Sequence, residues 1–408
     1  MRLFAPSQKL PFPELVLLLA ALMSTMAFSI DSVMPALPEL AATFRPDAPS
    51  RAQLVISVFL IGAGAGMLIF GPMADSIGRR RTLTAGATLY AAASLIGMFA
   101  TSLEMLLAAR LVQGMGASAA RITAQATTRD MFSGREQARV ASITFLFFLM
   151  VPAAAPLIGQ WITHLTGWRG LFGAYLLMIS AVWFWFQNRQ PETLLPANRR
   201  PYRPAKIRQA MGEVLRQPIA RRYLMVNTLG LGQLMAFISS AQQIFTDHLG
   251  LGDRFPLYFA LIALTSGASA LLNARLVMRL GMRPLAIFAY GTQIGLASLY
   301  WIAMQTGLVA LLPQGAQIWL FVAWAISLFL MNGLTFGNLN ALSMEPLGHI
   351  AGTAAAVIGA FSTGFSVLIA IPIGQAFDGT PMPLVGGVAL CSAAGFLLIW
   401  TDRKRMRG

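Results

Sequence analysis

Apolar segments of roughly 18–27 residues recur along the whole chain, the length a helix needs to cross a bilayer. They fall at about 14–35, 51–72, 82–100, 103–125, 138–163, 168–187, 222–246, 255–279, 284–304, 316–343, 350–376 and 382–401. The breaks carry turn chemistry: Pro46-Asp47, Gly78 followed by three arginines, Ser133-Gly134, Gly281, Pro313-Gln314 and Asp378-Gly379. In lipid each backbone N–H and C=O must be satisfied within its own segment, so such runs are read as helices. Hydrophobic residues make up 56% and charged residues 11%, against about 25% charged in soluble domains. A soluble fold has too much surface to hide that much apolar sequence. Arg2 and Lys9 before an apolar stretch resemble a signal peptide, but Leu15 to Met34 is about twenty residues, too long for its apolar core. A retained first span is expected. Cys391 stands alone, which excludes an internal disulfide framework and a cysteine-rich metal site.

The formal net charge of +15 raises the question of nucleic acid, and the position of the charges answers it. With the N-terminus in the cytoplasm and sides alternating, only Arg45, Arg51, Arg169 and Arg254 fall in outer segments, and Arg110 and Arg121 lie inside spans. All other Lys and Arg are cytoplasmic. That bias is the positive-inside rule. It places both termini in the cytoplasm, calls for an even number of spans and removes nucleic acid as a partner. The long polar stretch between the sixth and seventh spans divides the chain into an N-terminal bundle (1–187), a cytoplasmic linker (188–221) and a C-terminal bundle (222–408). Two echoes support the division. Asp75-Ser76-Ile77-Gly78-Arg79-Arg80 returns as Met278-Arg279-Leu280-Gly281-Met282-Arg283, offset by 203; Ala155-Pro156-Leu157-Ile158-Gly159-Gln160 returns as Ala370-Ile371-Pro372-Ile373-Gly374-Gln375, offset by 215. The expected fold is an all-α membrane protein of twelve transmembrane helices in two pseudo-symmetric six-helix bundles, as in transporters with parallel repeats.

Gly71-Pro72-Met73-Ala74-Asp75-Ser76-Ile77-Gly78-Arg79-Arg80-Arg81-Thr82-Leu83 resembles the signature between the second and third spans of the major facilitator superfamily. Arg110-Leu111-Val112-Gln113-Gly114-Met115-Gly116-Ala117 resembles its fourth-span motif, and Asp31-Ser32-Val33-Met34-Pro35-Ala36-Leu37-Pro38 is similar to the first span of its twelve-span drug:proton antiporters. Arg129-Asp130-Met131-Phe132 and the segment Glu345 to Ala354 look like the Bcr/CflA-like multidrug efflux subfamily. The fifth span departs from the antiporter pattern. Where Gly-Pro and Gly-Gly pairs are usual, it reads Ala155-Pro156 and Gly159-Gln160, so Pro156 and Gly159 alone survive. The resemblance implies export of small drug-like compounds of the chloramphenicol, bicyclomycin or sulfonamide type in exchange for protons, by alternating access in a bacterial inner membrane. A monomer with lipid as its surroundings is expected. The alternative is a major facilitator transporter for a metabolite or nutrient.

Asp31 is the one carboxylate deep in a span, where charge is costly unless it faces water or a partner. Arg110 falls at a similar depth on the fourth span, so an interaction between the two, direct or through water, is sterically open. A proton carrier needs a pKa that changes between conformations, and burial and a nearby arginine pull a carboxylate in opposite directions. Asp31 and Arg110 are therefore the expected coupling residues, while His164, His248 and His349 fall near loops. By the resemblance, Met23, Met26, Phe28, Gln113, Met115, Arg121, Asn227, Gln233, Met235, Asn332 and Asn338 are candidates for the substrate cavity; helix-to-helix hydrogen bonding is the plainer role for the amides. Arg121 lies near the inner end of its span and either snorkels to the surface or lines the cavity. Gly71, Asp75, Gly78, Arg79 and Arg81 are expected to form a conformational latch, with Gly78 allowing the tight turn. Gly62 and Gly66, one turn apart, let their helix approach a neighbour closely. Neither a nucleotide-binding loop nor a hydrolase or metalloprotease motif occurs, so no cofactor, metal or enzymatic activity is expected.

Overall fold

The computed structural model describes residues 10–199, 201–202 and 204–405. Of the basic residues placed in the cytoplasm above, Arg2, Lys9, Arg200, Arg203 and Arg407 lie outside them. The described residues form helices and turns, with no strand among them. The helices are α1 (Phe12–Asp31), α2 (Leu37–Phe44), α3 (Leu54–Ile77), α4 (Arg79–Met98), α5 (Leu103–Met131), α6 (Gly134–Arg189), α7 (Pro204–Arg216), α8 (Pro218–Gln243), α9 (Phe255–Leu280), α10 (Met282–Gln305), α11 (Gln314–Met344), α12 (Ala351–Gln375) and α13 (Met382–Arg405).

Among the described residues nine runs are long and apolar enough to cross a membrane, with Met150–Arg189 counted as one. Within that run Gly167 adopts φ 70° and ψ 178° and breaks α6 into two helices. Counting this break together with α4 and α5 reaches the expected twelve. The last two fall short in hydropathy for a physical reason. α4 begins with three arginines, and α5 carries Arg110, Arg121 and many small residues. Their small residues pack helix on helix: a Cβ at Gly116 would come within 2.6 Å of the Gly86 carbonyl oxygen. A helix enclosed by protein need not be apolar all round.

Contacts divide the chain into two units, one of Met1–Pro46 and Val58–Gln209, the other of Asp47–Ser57 and Ala210–Gly408. The division falls inside the linker read at 188–221. It differs from the sequence reading in assigning Asp47–Ser57 to the second unit. The cause is local bonding: Gln375 Nε2 donates to the Ser50 carbonyl at 2.7 Å, and Gln53 Nε2 donates to Gln243 Oε1 at 2.5 Å.

In the first unit Gly62 and Gly66 of α3 sit against the backbone of Leu111 and Met115 on α5, and Gly114 of α5 sits against the Phe59 carbonyl. A Cβ at any of the three would overlap backbone atoms, so the two helices meet main chain to main chain. Proline ends α1. Pro35 has no N–H to give the Asp31 carbonyl, so the helix cannot run on. Ser102 caps α5 by accepting the Met105 N–H at 3.1 Å.

The second unit is built around α8, whose Phe237 lies among the rings of Phe259, Phe321, Trp324 and Phe329 at centroid distances of 5.5–6.5 Å. Tyr290 of α10 donates to the Val226 carbonyl of α8 at 3.0 Å.

The first sequence echo lands on matching structure. Gly78 precedes α4 with φ 98° and ψ 165°, and Gly281 precedes α10 with φ 83° and ψ 162°, left-handed conformations that glycine adopts without strain. Side-chain contacts follow the same two offsets. Arg80 Nε donates to Gln187 Oε1 at 3.0 Å, and Arg283 Nε, 203 residues on, reaches Asp402, 215 residues after Gln187, at 3.6 Å.

Candidate functional site

Asp31 is the last residue of α1 and is 4% exposed. Arg110, on α5, is wholly buried. The two do not form an ion pair, so the direct Asp31–Arg110 contact left open above is absent. Arg110 docks instead on the end of α1, with Nη2 donating to the Ser29 carbonyl at 2.8 Å. The last carbonyls of a helix have no intrahelical partner and carry the negative end of its dipole, so they attract a guanidinium as a carboxylate would. Arg110 Nη1 donates to Gln113 Oε1 at 2.7 Å, and the group lies 4.4 Å above the Phe59 ring and 5.9 Å from that of Tyr175. Those ring faces and carbonyls spread its charge without an acid. Gln113 passes the network on to Ser94 Oγ at 2.8 Å. Ser29 Oγ and Tyr90 Oη are 2.5 Å apart, and Ser32 Oγ and Tyr175 Oη 2.9 Å.

Among the described residues the Asp31 carboxylate has no hydrogen bond and no ion pair. Its surroundings are shaped by α6. A Cβ at Gly159 would overlap the Ser32 carbonyl, so that glycine is what lets α6 press against the chain beside Asp31. Pro156 is buried one turn earlier. Phe28 is half-buried and meets Tyr175 edge-on at 6.0 Å. Arg121 is half-buried, its Nη1 4.0 Å from Met26 Sδ; Met23 and Met115 are also half-buried.

The other unit's candidate residues do not converge on one point. Asn227 donates to Ser362 Oγ at 3.1 Å and to Asn340 Oδ1 at 3.5 Å; Asn338 donates to Asn273 Oδ1 at 2.8 Å. Asn332 bonds back to the Leu328 carbonyl of its own helix. Gln233 accepts from Ser392 and leaves its buried Nε2 without a partner among the described residues. Met235 is half-buried. Most of these amides thus join helix to helix.

The signature loop forms a second site in the first unit. Arg79, 2% exposed, makes a two-pronged bond to Asp130 (Nε 2.8 Å, Nη2 3.0 Å) and a third to Asp75 at 2.9 Å. Arg129 also reaches Asp75, at 3.3 Å. Gly71 is half-buried, and Arg81 points outward, exposed and outside the cluster. The sequence reading missed Glu192 and Thr193. Glu192 accepts the backbone N–H groups of Arg79 and Arg80, and Thr193 Oγ1 donates to Asp130 Oδ2 at 2.9 Å. A proline-acid-threonine triplet directly after the sixth span, Pro191-Glu192-Thr193, was the available signal.

Two helical units with an acid and arginine buried in the spans, and a charged loop at the helix ends, define a polytopic membrane transporter. The profile of the Major Facilitator Superfamily matches residues 17–372, and the chain belongs to that family. It is 30% identical to the "Chloramphenicol resistance protein" of Pseudomonas aeruginosa over 84% of this chain and 79% of that one. It is 26% identical to the "Bicyclomycin resistance protein homolog" of Haemophilus influenzae over 96% and 98%, and 28% identical to the "Multidrug resistance protein MdtL" of Citrobacter koseri over 91% of each. In fold it matches a solved D-xylose-proton symporter with a TM-score of 0.72 at 14% identity, over 94% of this chain and 97% of that one.

Proposed function

We propose that this protein exports small drug-like compounds of the chloramphenicol, bicyclomycin or sulfonamide type across the bacterial cytoplasmic membrane in exchange for protons. The observation that carries the reading is the likeness, over most of both chains, to proteins named for chloramphenicol and bicyclomycin resistance. Asp31 supports the proton half. It is a buried span carboxylate whose charge no described residue compensates, whereas the charge of Arg110 is met by Gln113, the Ser29 carbonyl and two rings. Asp31 is therefore assigned the proton and Arg110 a positioning role at the end of α1. The Asp75–Arg79–Asp130 cluster is assigned the conformational latch. Both termini are placed in the cytoplasm by the arginine bias, and the working unit is a monomer.

The test is a susceptibility panel in a pump-deficient host, paired with proton flux in proteoliposomes. Raised resistance to chloramphenicol, bicyclomycin or a sulfonamide, with export that collapses when the proton gradient is removed, is expected. No change in resistance to any of the three, with uptake of a metabolite instead, overturns the reading.

A further inference from the structure

We propose that Arg121 recognises an anionic group on the transported compound, so that the protein prefers substrates that join one delocalised anion to an aryl body. The proposal rests on the drug-export reading and names the chemistry it selects. A guanidinium has five N–H donors and no acceptor. Those of Arg121 meet only the Met26 thioether sulfur at 4.0 Å among the described residues, and thioether sulfur is a weak acceptor. All 15 Asp and Glu of the chain lie among the described residues, and none of the ion pairs they form involves Arg121. The two buried arginines of this unit, by contrast, are engaged: Arg79 with Asp75 and Asp130, Arg110 with Gln113 and the Ser29 carbonyl.

Position argues against a snorkelling role. Arg121 comes eleven residues after Arg110, about three turns, so the two share a face of α5 roughly 16 Å apart. The inner end of the span at about 125 is only four residues on, about 6 Å, so the direction of the side chain decides. A helical side chain leans toward the N-terminus of its helix. Arg121 accordingly reaches toward Met26 on α1, away from the charged end at Arg129. A cation held at this depth with donors to spare is costly unless a ligand or water meets it. Its planar fork fits a carboxylate or a deprotonated sulfonamide in two-pronged fashion, and Met23 and Met26 offer a soft surface to an aromatic ring.

The experiment measures equilibrium binding to the full chain purified in detergent. The probes are sulfamethoxazole, whose sulfonamide N–H ionises, and its N-methylated sulfonamide, which cannot ionise. The wild type is expected to bind the ionised probe at least ten-fold more tightly than the methylated one. Arg121→Gln should bring the ratio to about one, and Arg121→Lys, which keeps the charge and loses the fork, should leave it between. Melting curves report folding; if Arg121→Gln does not fold, the ratio for Arg121→Lys decides. Equal affinities in the wild type, a ratio unmoved by the variants, or no binding of either probe overturns the proposal. Flux in proteoliposomes separates the two readings: no proton-driven flux of chloramphenicol, bicyclomycin or sulfamethoxazole, with the binding ratio intact, ends the drug-export reading and leaves the role of Arg121 standing.

Discussion

Glu192 closes the first turn of α4 from 113 residues away, one carboxylate oxygen accepting the Arg79 N–H at 2.9 Å and the other the Arg80 N–H at 3.1 Å. The first N–H groups of a helix have no internal partner and carry its positive end. An acid there caps α4, and because Thr193 holds Asp130 at the same time, the chain leaving α6 is tied to the signature loop. Glu192→Ala is expected to cost about 1 kcal/mol of stability, the typical worth of a side-chain cap, and to slow export. Glu192→Gln keeps an accepting oxygen and should fall between. Melting curves and vesicle efflux check this, and export unchanged in Glu192→Ala with an unchanged melting point would show that the cap is idle.

Asp75 accepts from both Arg79 and Arg129, and it belongs to a loop cluster separate from the buried network around Arg110. Asp75→Asn should therefore impair turnover while leaving substrate affinity within about two-fold. The amide keeps one accepting oxygen but loses the charge that strengthens such bonds. Binding and single-turnover export measured on the same preparation decide the matter. A large loss of affinity with turnover otherwise intact goes against the assignment.

Gly159 allows α6 to touch the Ser32 carbonyl, next to Asp31. Gly159→Ala forces the two apart, and overpacking of this kind costs roughly 1–3 kcal/mol. The expected result is a lowered melting point with loss of export larger than the loss of folded protein. Alanine tolerated without effect on either would mean that α1 and α6 yield at this point without consequence for coupling.

What could be read from the sequence follows from how local its cause is. The left-handed turn at Gly78 and its counterpart at Gly281 were legible because the residue type itself meets a backbone requirement. The close approach of α3 and α5 was legible in part, from Gly62 and Gly66, one turn apart. The surroundings of Arg110 were not legible, because depth left open only an interaction with Asp31, direct or through water, while one acceptor of its guanidinium is a backbone carbonyl, which every residue has and no motif marks. Glu192 was missed because the triplet Pro191-Glu192-Thr193, though visible after the sixth span, says nothing of which helix, 113 residues away, its acid caps. The amides of α8 and α11 looked alike in sequence, yet Asn332 bonds back to its own helix, while Asn338 does so and also reaches across to α9. Rotation about the helix axis decides that, and packing sets the rotation.

The last prediction concerns Asp31. If it carries the proton, Asp31→Asn should abolish proton-driven export, because an amide does not cycle between charged and neutral forms. Substrate exchange that moves no net proton should persist, since the amide keeps the shape of the site. The absence of an ion pair sharpens the expectation for stability. Breaking a buried pair leaves an uncompensated charge and costs several kcal/mol, but here Arg110 keeps Gln113, the Ser29 carbonyl and the Phe59 ring when Asp31 is neutralised. The melting point of Asp31→Asn should accordingly be unchanged or raised. Arg110→Gln, in contrast, removes the cap from the end of α1 and orphans the Gln113 oxygen, so it should lower both the melting point and export. The measurement is substrate-induced proton release from purified protein in detergent, wild type against Asp31→Asn, with uphill export followed in proteoliposomes. Proton release and uphill export both retained in the mutant would move the coupling site elsewhere. A melting point sharply lowered by Asp31→Asn would show instead that the carboxylate is a structural partner, and would end the separation of roles between Asp31 and Arg110.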